Sequence, residues 1–234
     1  MEDIERYGDY NEIDEAPGEK SGTVVKLLKL LVLLLCFSVV GILAFRVILF
    51  NYYPKSIKNI YFNDTLTAHY ESVGDDFRAK TQSLRAPYDD PDFASFFCDN
   101  LIVIEDAGQL QLSVRYNSSI FDSIKEKYGV ELDADSDSLF TFALESVPRE
   151  EGASPYTVGE LDYSHREDVL MYTYYKLVFD GVAAEELGDG AWIRLKITLN
   201  GVENAKPYYV LVYENTEEYD LFGEYKLKAK ERPQ

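Results

Sequence analysis

The sequence predicts a mainly β protein: an antiparallel β-sandwich of immunoglobulin-like type with one inserted helix, preceded by one transmembrane helix. Two observations predict this arrangement. A nearly uncharged apolar run extends from Leu27 to Phe50, and about 20 such residues suffice for a helix to cross a bilayer. Downstream of it, several short segments alternate apolar with polar residues at a period of two, which is typical of strands with one buried face.

The composition excludes several classes of protein. The 234 residues include 23 Lys and Arg against 42 Asp and Glu, a formal net charge of −19. A nucleic-acid partner is not expected, because binding to phosphates needs a basic face. Two cysteines can build neither a disulfide framework nor a four-cysteine zinc site. Residues 1–22 are rich in acids and poor in apolar side chains, which predicts a disordered acidic tail.

The apolar run is expected to be an uncleaved membrane anchor helix over residues 23–53. Lys29 and Arg46 are the charged residues of Leu27–Phe50, and at 1.5 Å per residue this stretch spans about 36 Å, against a hydrocarbon core of about 30 Å. Basic stems and amphipathic rings are favoured where lipid meets water. The residues expected at this membrane interface are Lys26, Lys29, Arg46, Tyr52 and Tyr53.

The orientation of the anchor depends on weaker signals. Three basic residues flank each end of the run, so the excess of positive charge that marks the cytoplasmic side does not decide. A short tail before a single anchor fits a signal anchor, and Arg46 counts less because it lies partly inside the helix. We therefore expect a single-pass protein of the cell membrane, with a cytoplasmic N-terminus and an extracytoplasmic C-terminal domain.

The sandwich is predicted over residues 99–234, with a partly open barrel as the alternative. The predicted strands are Gln109–Tyr116, Leu139–Glu145, Met171–Phe179, Ala191–Leu199 and Tyr208–Tyr213, with Leu101–Ile104 as a shorter candidate. Strict alternation predicts that Gln109–Tyr116 is half buried, whereas Met171–Phe179 and Tyr208–Tyr213 are expected to be buried on most of both faces. Residues 54–98 are expected to be a juxtamembrane segment containing a short helix or strand.

Turn and cap residues divide these elements. Asp180-Gly181 and Asn200-Gly201 are dipeptides that tight hairpin turns prefer. The inserted helix is expected to begin at a capping box formed by Ser119 and Asp122. It is expected to end at Gly129.

One acidic motif is a candidate metal site. Asp133, Asp135 and Asp137 alternate like the first ligands of a calcium loop, but Ser138 stands where that loop needs Gly. A solvated acidic turn is the favoured interpretation, because such charge runs are ordinarily exposed. No other cofactor is expected.

The sequence does not predict an enzyme. His69 and His165 are the two histidines, and Cys98 lies beside Phe96-Phe97 as a small buried hydrophobe would. A Gly-x-Ser-x-Gly elbow, the usual setting of a nucleophilic serine in hydrolases, is absent from the sequence.

Three stretches give the chain a family resemblance: Tyr61-Phe-Asn-Asp-Thr65, Gln109-Leu-Gln-Leu-Ser-Val-Arg-Tyr-Asn117 and Tyr174-Tyr-Lys-Leu-Val-Phe-Asp-Gly181. With the anchor and the tail, they resemble small uncharacterised single-pass membrane proteins of Gram-positive (clostridial) bacteria that carry a β-rich extracytoplasmic domain. The resemblance implies a location in the bacterial envelope and carries over no catalytic residues.

The expected function is that of a membrane-tethered binding or scaffolding module in the cell envelope. Besides the lipid bilayer, its partner would be an envelope protein or a wall polymer. Two alternatives stay open: an envelope hydrolase acting on peptide or glycan, and an accessory subunit of a membrane complex. Small residues at positions 38, 41 and 44 are spaced for close helix contact in such a complex.

Overall fold

The computed structural model describes residues 19–84, 96–133, 136, 138–148, 152–188, 190–215, 223–228 and 231–233. These residues form two compact units, one ending at Tyr52 and the other beginning at Tyr53. The predicted acidic tail lies mostly outside the described residues. Its last four residues, 19–22, form the first turn of a helix.

The first unit is one long apolar helix, α1 (Glu19–Asn51). Within the described residues it is the one helix long and apolar enough to cross a membrane, and its most apolar window has no buried residue. It ends three residues before Pro54, whose ring disfavours helical geometry in the residue before it.

The second unit is built mainly of strands. Its described helices are α2 (Lys55–Lys58), α3 (Asp64–Val73) and α4 (Ile120–Tyr128). Its described strands are β1 (Lys80–Ser83), β2 (Phe96–Ile104), β3 (Gln109–Asn117), β4 (Phe140–Ser146), β5 (Glu160–Val169), β6 (Tyr172–Asp180), β7 (Trp192–Leu199), β8 (Tyr208–Glu214) and β9 (Gly223–Glu224). All named pairs are antiparallel.

The strands form two sheets with a shared hydrophobic core. The first sheet has the order β5-β6-β3-β2-β1-β9 and the second has the order β4-β7-β8. The inter-sheet core includes Leu110, Leu112 and Val114 of β3, Leu177 and Phe179 of β6, Phe142 and Leu144 of β4, and Leu195 and Ile197 of β7. The predicted mainly β, antiparallel architecture is therefore confirmed.

A second apolar cluster lies on the opposite face of the first sheet, which we call the outer face. It comprises Ile60, Leu66, Phe77, Ala79, Ile102 and Ile104, and we call it the outer core. Four of these residues come from the segment 54–79 that follows α1. This segment therefore packs against the sheet as part of the domain.

The prediction of one inserted helix is incomplete, because α3 is a second helix. Asn63 begins it: its side-chain oxygen accepts a hydrogen bond from the Leu66 amide at 3.0 Å, as an N-cap residue does. Leu66 is fully buried in the outer core. The sequence does not decide between a helix and a strand for this segment, because its apolar positions are few.

The predicted helix α4 is present, but its predicted capping box is wrong. Ser119 makes no capping hydrogen bond with its side chain. Asn117 instead accepts a hydrogen bond from the Ser119 amide at 2.9 Å. Gly129 ends the helix in the left-handed conformation, as predicted.

The hairpin signals were only partly correct. Asp180-Gly181 is not a hairpin turn, because β6 is followed by β7 of the other sheet. Asn200-Gly201 opens a longer loop between the paired strands β7 and β8. The two-residue hairpin of the first sheet joins β5 to β6 at Leu170-Met171, where Leu170 takes a positive φ of 56°. Leu and Met are not residue types that predict such a turn.

Gly108 supports a close approach between the β2–β3 turn and the chain after β6. Its φ is +59°, and a Cβ added there would lie 2.9 Å from the Val182 carbonyl oxygen. The Val182 amide donates to the Gly108 carbonyl at 2.9 Å. The turn therefore requires glycine for two separate reasons.

We predict that Gly108→Ala lowers the thermal stability of the full chain more than Gly129→Ala. Both residues have positive φ, which costs about 1–2 kcal/mol for other residues, but nothing lies within 4 Å of a Cβ at Gly129. The comparison isolates the clash with Val182. Unfolding in detergent micelles, followed by near-UV circular dichroism, would measure both losses, and equal losses would contradict the close approach.

Candidate functional site

The outer face of β3 carries a buried polar layer. Gln109, Gln111, Ser113 and Arg115 alternate with core residues along this strand, and they are only 0–3 % exposed. The prediction that Gln109–Tyr116 is half buried is therefore wrong. The segment 54–79 covers the polar face, and polar side chains can be buried at little cost when each is hydrogen-bonded.

Two of these side chains bond directly to the backbone of the covering segment. Gln111 donates to the Tyr61 carbonyl at 2.7 Å and accepts from the Tyr61 amide at 2.9 Å. The Ser113 hydroxyl donates to the Ile57 carbonyl at 2.9 Å. The amide group of Gln111 thus pairs with Tyr61 as a neighbouring strand would, and it fixes the segment over β3.

A third set of bonds joins the layer to the start of α3 and the end of β6. The side-chain nitrogen of Gln109 donates to the Asp180 carboxylate at 2.7 Å and to the side-chain oxygen of Asn63 at 3.0 Å. The side-chain nitrogen of Asn63 donates to the Asp180 carboxylate at 2.7 Å, while the side-chain oxygen of Asn63 caps α3. Asp180, predicted as a turn residue, therefore anchors the layer.

Arg115 lies among aromatic rings at the other end of the layer. Its guanidinium carbon is 4.9 Å from the centre of the Tyr53 ring and 5.1 Å from those of Phe97 and Tyr172. A guanidinium is weakly hydrated and stacks well on rings. Burial raises the pKa of the nearby Asp99, and the positive charges of Arg115 and then Lys58 oppose this effect.

Lys176 of β6 is a buried amine on the same face. It is 1 % exposed, and α2 packs against its strand. Burial lowers the pKa of Lys176 to about 7, although the negative charge of Glu231 acts in the opposite direction. The side chain of Glu231, 1 % exposed, accepts from the Tyr225 hydroxyl and from the Lys228 amide, both at 3.1 Å.

The outer face also carries a cavity of about 260 Å³. Its polar lining comes from Lys58, Asn59, Thr81, Asn100, Tyr225 and Lys228, with Ile102 as an apolar wall. Four separate segments of the chain supply these residues. Sequence reasoning missed this site, since none of the segments carries a recognisable motif.

A second cavity, also of about 260 Å³, lies beside the β4–β7 pair. Three of its polar residues are hydrogen-bonded to one another. The Tyr156 hydroxyl donates to Glu186 at 2.6 Å, and the Tyr156 amide donates to the Ser146 hydroxyl at 3.1 Å.

The predicted calcium residues lie partly outside the described part of the chain, which includes Asp133 but neither Asp135 nor Asp137. Asp133 is exposed, and its carbonyl accepts from the Ser136 amide in a turn. Among the described residues, no group of three His, Cys, Asp or Glu side chains could hold a metal ion. The calcium site stays a prediction.

The residues that a cysteine–histidine hydrolase would need are separated. Cys98 is buried in the inter-sheet core, where burial raises the pKa of its thiol to about 12. His69 lies near Phe77 of the outer core, with ring centres 6.1 Å apart. His165 lies on β5, its ring centre 6.4 Å from that of Tyr163. The structure therefore brings neither histidine to Cys98.

The predicted membrane-interface residues divide between the two units. Lys26, Lys29 and Arg46 lie on α1, and Tyr52 follows it. Tyr53 instead belongs to the domain, where its ring meets that of Tyr174 edge-on at 5.1 Å. Burial raises the pKa of Tyr53.

Comparison with known proteins identifies no relative of the chain. No protein-family model, curated protein or solved structure matches the chain. The resemblance to clostridial membrane proteins stays a prediction.

We predict that the free energy of unfolding rises between pH 7 and pH 8.5 because of Lys176. Unfolded lysine has a pKa of about 10.4, so above pH 7 the unfolded chain binds a proton that the folded chain lacks. Stability then rises with pH by up to about 1.4 kcal/mol per unit. The predicted pH range ends at 8.5, because unfolded Cys98 begins to lose its proton at about that pH. Above it, the titration of Cys98 lowers stability as the pH rises and so opposes the effect of Lys176.

Lys176→Met should remove this rise, as measured by denaturant unfolding at several pH values. Lys196→Met is the matched control. Lys196 is hydrogen-bonded to Glu145, which raises its pKa from the ordinary value, so its removal should leave the rise in place. A rise of equal size in Lys176→Met would contradict the assignment.

Proposed function

We propose that the chain is a membrane-tethered, extracytoplasmic binding or scaffolding module of the cell envelope. In this proposal α1 is the single-pass anchor, its N-terminal side is cytoplasmic, and the β domain lies outside the cytoplasm. The partner is an envelope protein or a wall polymer. An immunoglobulin-like sandwich is part of the same proposal; two antiparallel sheets with a shared core support it, although six and three strands differ from the four and three of constant-type immunoglobulin domains.

The observation that carries the proposal is the short junction between helix and domain. The helix ends at Asn51 and the domain unit begins at Tyr53. One residue of chain spans at most about 3.6 Å. If α1 crosses a membrane, the first residues of the domain must therefore lie at its surface, which suits a protein that acts there.

The segment that follows the junction packs against the domain, which supports a folded module that begins close to α1 in the sequence. Tyr61 and Ile57 are hydrogen-bonded to β3 through Gln111 and Ser113, and Leu66 is buried in the outer core. The segment after the junction is thus not a flexible linker. Such a domain would present its surfaces to partners in the same membrane or in the adjoining wall.

Membrane location is tested by extraction of cell membranes at alkaline pH. The full chain should stay with the lipid. A variant with Leu34→Arg and Val39→Arg should leave it, because each arginine at the helix centre costs about 2.5–3.5 kcal/mol on the insertion scale. Release of the unaltered chain into the soluble fraction would contradict the anchor.

The proposed orientation is tested by labelling with a membrane-impermeant maleimide. Glu203→Cys places a thiol in the exposed loop between β7 and β8, and Gly18→Cys places one in the tail. We expect the first to react in intact cells and the second only after lysis, with the unaltered chain as the blank. The reverse pattern would overturn the orientation.

The binding role is tested by purification from detergent-solubilised membranes. The full chain should return the same envelope protein or wall fragment in independent preparations. Preparations with nothing in common would contradict the role as a binding module.

A further inference from the structure

The outer-face cavity contains hydrogen-bonding groups that the domain itself does not use. The side chains of Asn59 and Thr81 line it and form no hydrogen bond with any other group in the described parts of the chain. Asn100 makes one long bond, donating to Asp99 at 3.4 Å. Partly buried amides and hydroxyls favour a partner, so these groups are suited to holding a ligand.

The charges around the cavity favour an anion. The charged residues that line it are Lys58 and Lys228. Two acidic groups interact with these lysines without lining the cavity: Asp99, on which the charge of Lys58 acts, and Glu231, which lies 3.5 Å from the Lys228 ammonium. The described lining residues therefore include two lysines and no Asp or Glu.

This local excess of positive charge is unusual for the protein, whose net charge is −19. A cation in the cavity would meet two ammonium groups in the wall. An anion would meet two ammonium groups, two amides and a hydroxyl, all able to donate to oxygen atoms. The volume of about 260 Å³ is below the roughly 300 Å³ at which pockets for drug-sized ligands begin, so a small group fits best.

We propose that this cavity binds a small oxyanion, either a phosphate group or a carboxylate group, between Lys58 and Lys228. This proposal rests on the proposed function and adds to it the class of ligand that the binding module takes. Lys58 and Lys228 supply the charge. Asn59, Thr81 and Asn100 supply the hydrogen bonds that orient the oxygen atoms.

The test is calorimetric titration of the full chain in micelles of an uncharged detergent, in a buffer free of phosphate and carboxylate. The probes are inorganic phosphate and acetate, with glycerol as the neutral control. Binding of either anion supports the site and shows which oxyanion it prefers. No heat from either anion at about 10 mM, where even a Kd of 1 mM (about −4.1 kcal/mol) would be nearly saturated, would overturn it.

Matched lysines distinguish the site from general attraction to positive charge. Lys58→Met removes a cavity lysine, whereas Lys55→Met removes an exposed lysine of the same helix that does not line the cavity. We expect the first to weaken binding about tenfold or more, since a charged hydrogen bond contributes about 1.5–3 kcal/mol, and the second less than twofold. Equal effects would overturn the proposal.

Lys228→Met and its control Lys226→Met repeat the comparison on the C-terminal side of the cavity, so the test does not depend on the folding of one variant. Both lysines are exposed, and only Lys228 lines the cavity. Lys58→Met should leave membrane extraction and the labelling of Glu203→Cys unchanged. A correctly inserted chain without anion binding therefore contradicts this inference alone, whereas anion binding by a chain outside the membrane contradicts the membrane proposal alone.

Discussion

Gln109, Gln111 and Ser113 on one face of β3 are buried because residues 54–79 lie across them, and much of the domain follows from how those side chains are paired. A buried donor or acceptor left without a partner costs about 1–3 kcal/mol. Gln111 can satisfy both of its groups with Tyr61 only when the segment lies at one position along the strand. Hydrogen bonding therefore fixes the position of the segment along the strand. Because Leu66 and Phe77 are fixed by the same placement, the outer core forms beside the polar layer.

The same face of the sheet also buries two basic side chains, Arg115 and Lys176. Arg115 is accommodated by three aromatic rings, whereas Lys176 has Glu231 as its electrostatic partner. Glu231 is in turn held by Tyr225 and the Lys228 backbone. Tyr225 and Lys228 thus line the same cavity as Asn59 and Asn100, although these residues are far apart in the sequence. A cationic cavity on an acidic protein arises where these segments meet.

The sequence predicts most of what depends on local pattern. The apolar run predicts α1, and the period of two predicts β3, β4 and β7 close to their observed bounds. It fails for β5, an exposed edge strand whose residues Glu160–Val169 show no apolar alternation. It also fails for the outer face of β3, since alternation shows that one face is polar but not that another segment covers it.

The candidate site could not be predicted for a related reason. Lys58, Thr81, Asn100 and Lys228 are ordinary surface residue types, each in a segment without a motif, and only the pairing of β1 with β2 and the folding back of the C-terminal residues bring them together. Conversely, the most visible motif is the alternating acids from Asp133, of which the structure describes Asp133 alone, as an exposed residue. Clusters made by tertiary structure leave no spacing signal.

The most direct test of the central claim is amide hydrogen exchange at Tyr61 in the full chain. Its amide lies outside the named helices and strands, and its partner is the side-chain oxygen of Gln111 at 2.9 Å. If the polar layer holds the segment in place, this amide is protected to a degree similar to the amides of β3. Exchange as fast as that of the exposed Leu170 amide in the β5–β6 turn would show that the segment is not held by β3, and would contradict the account.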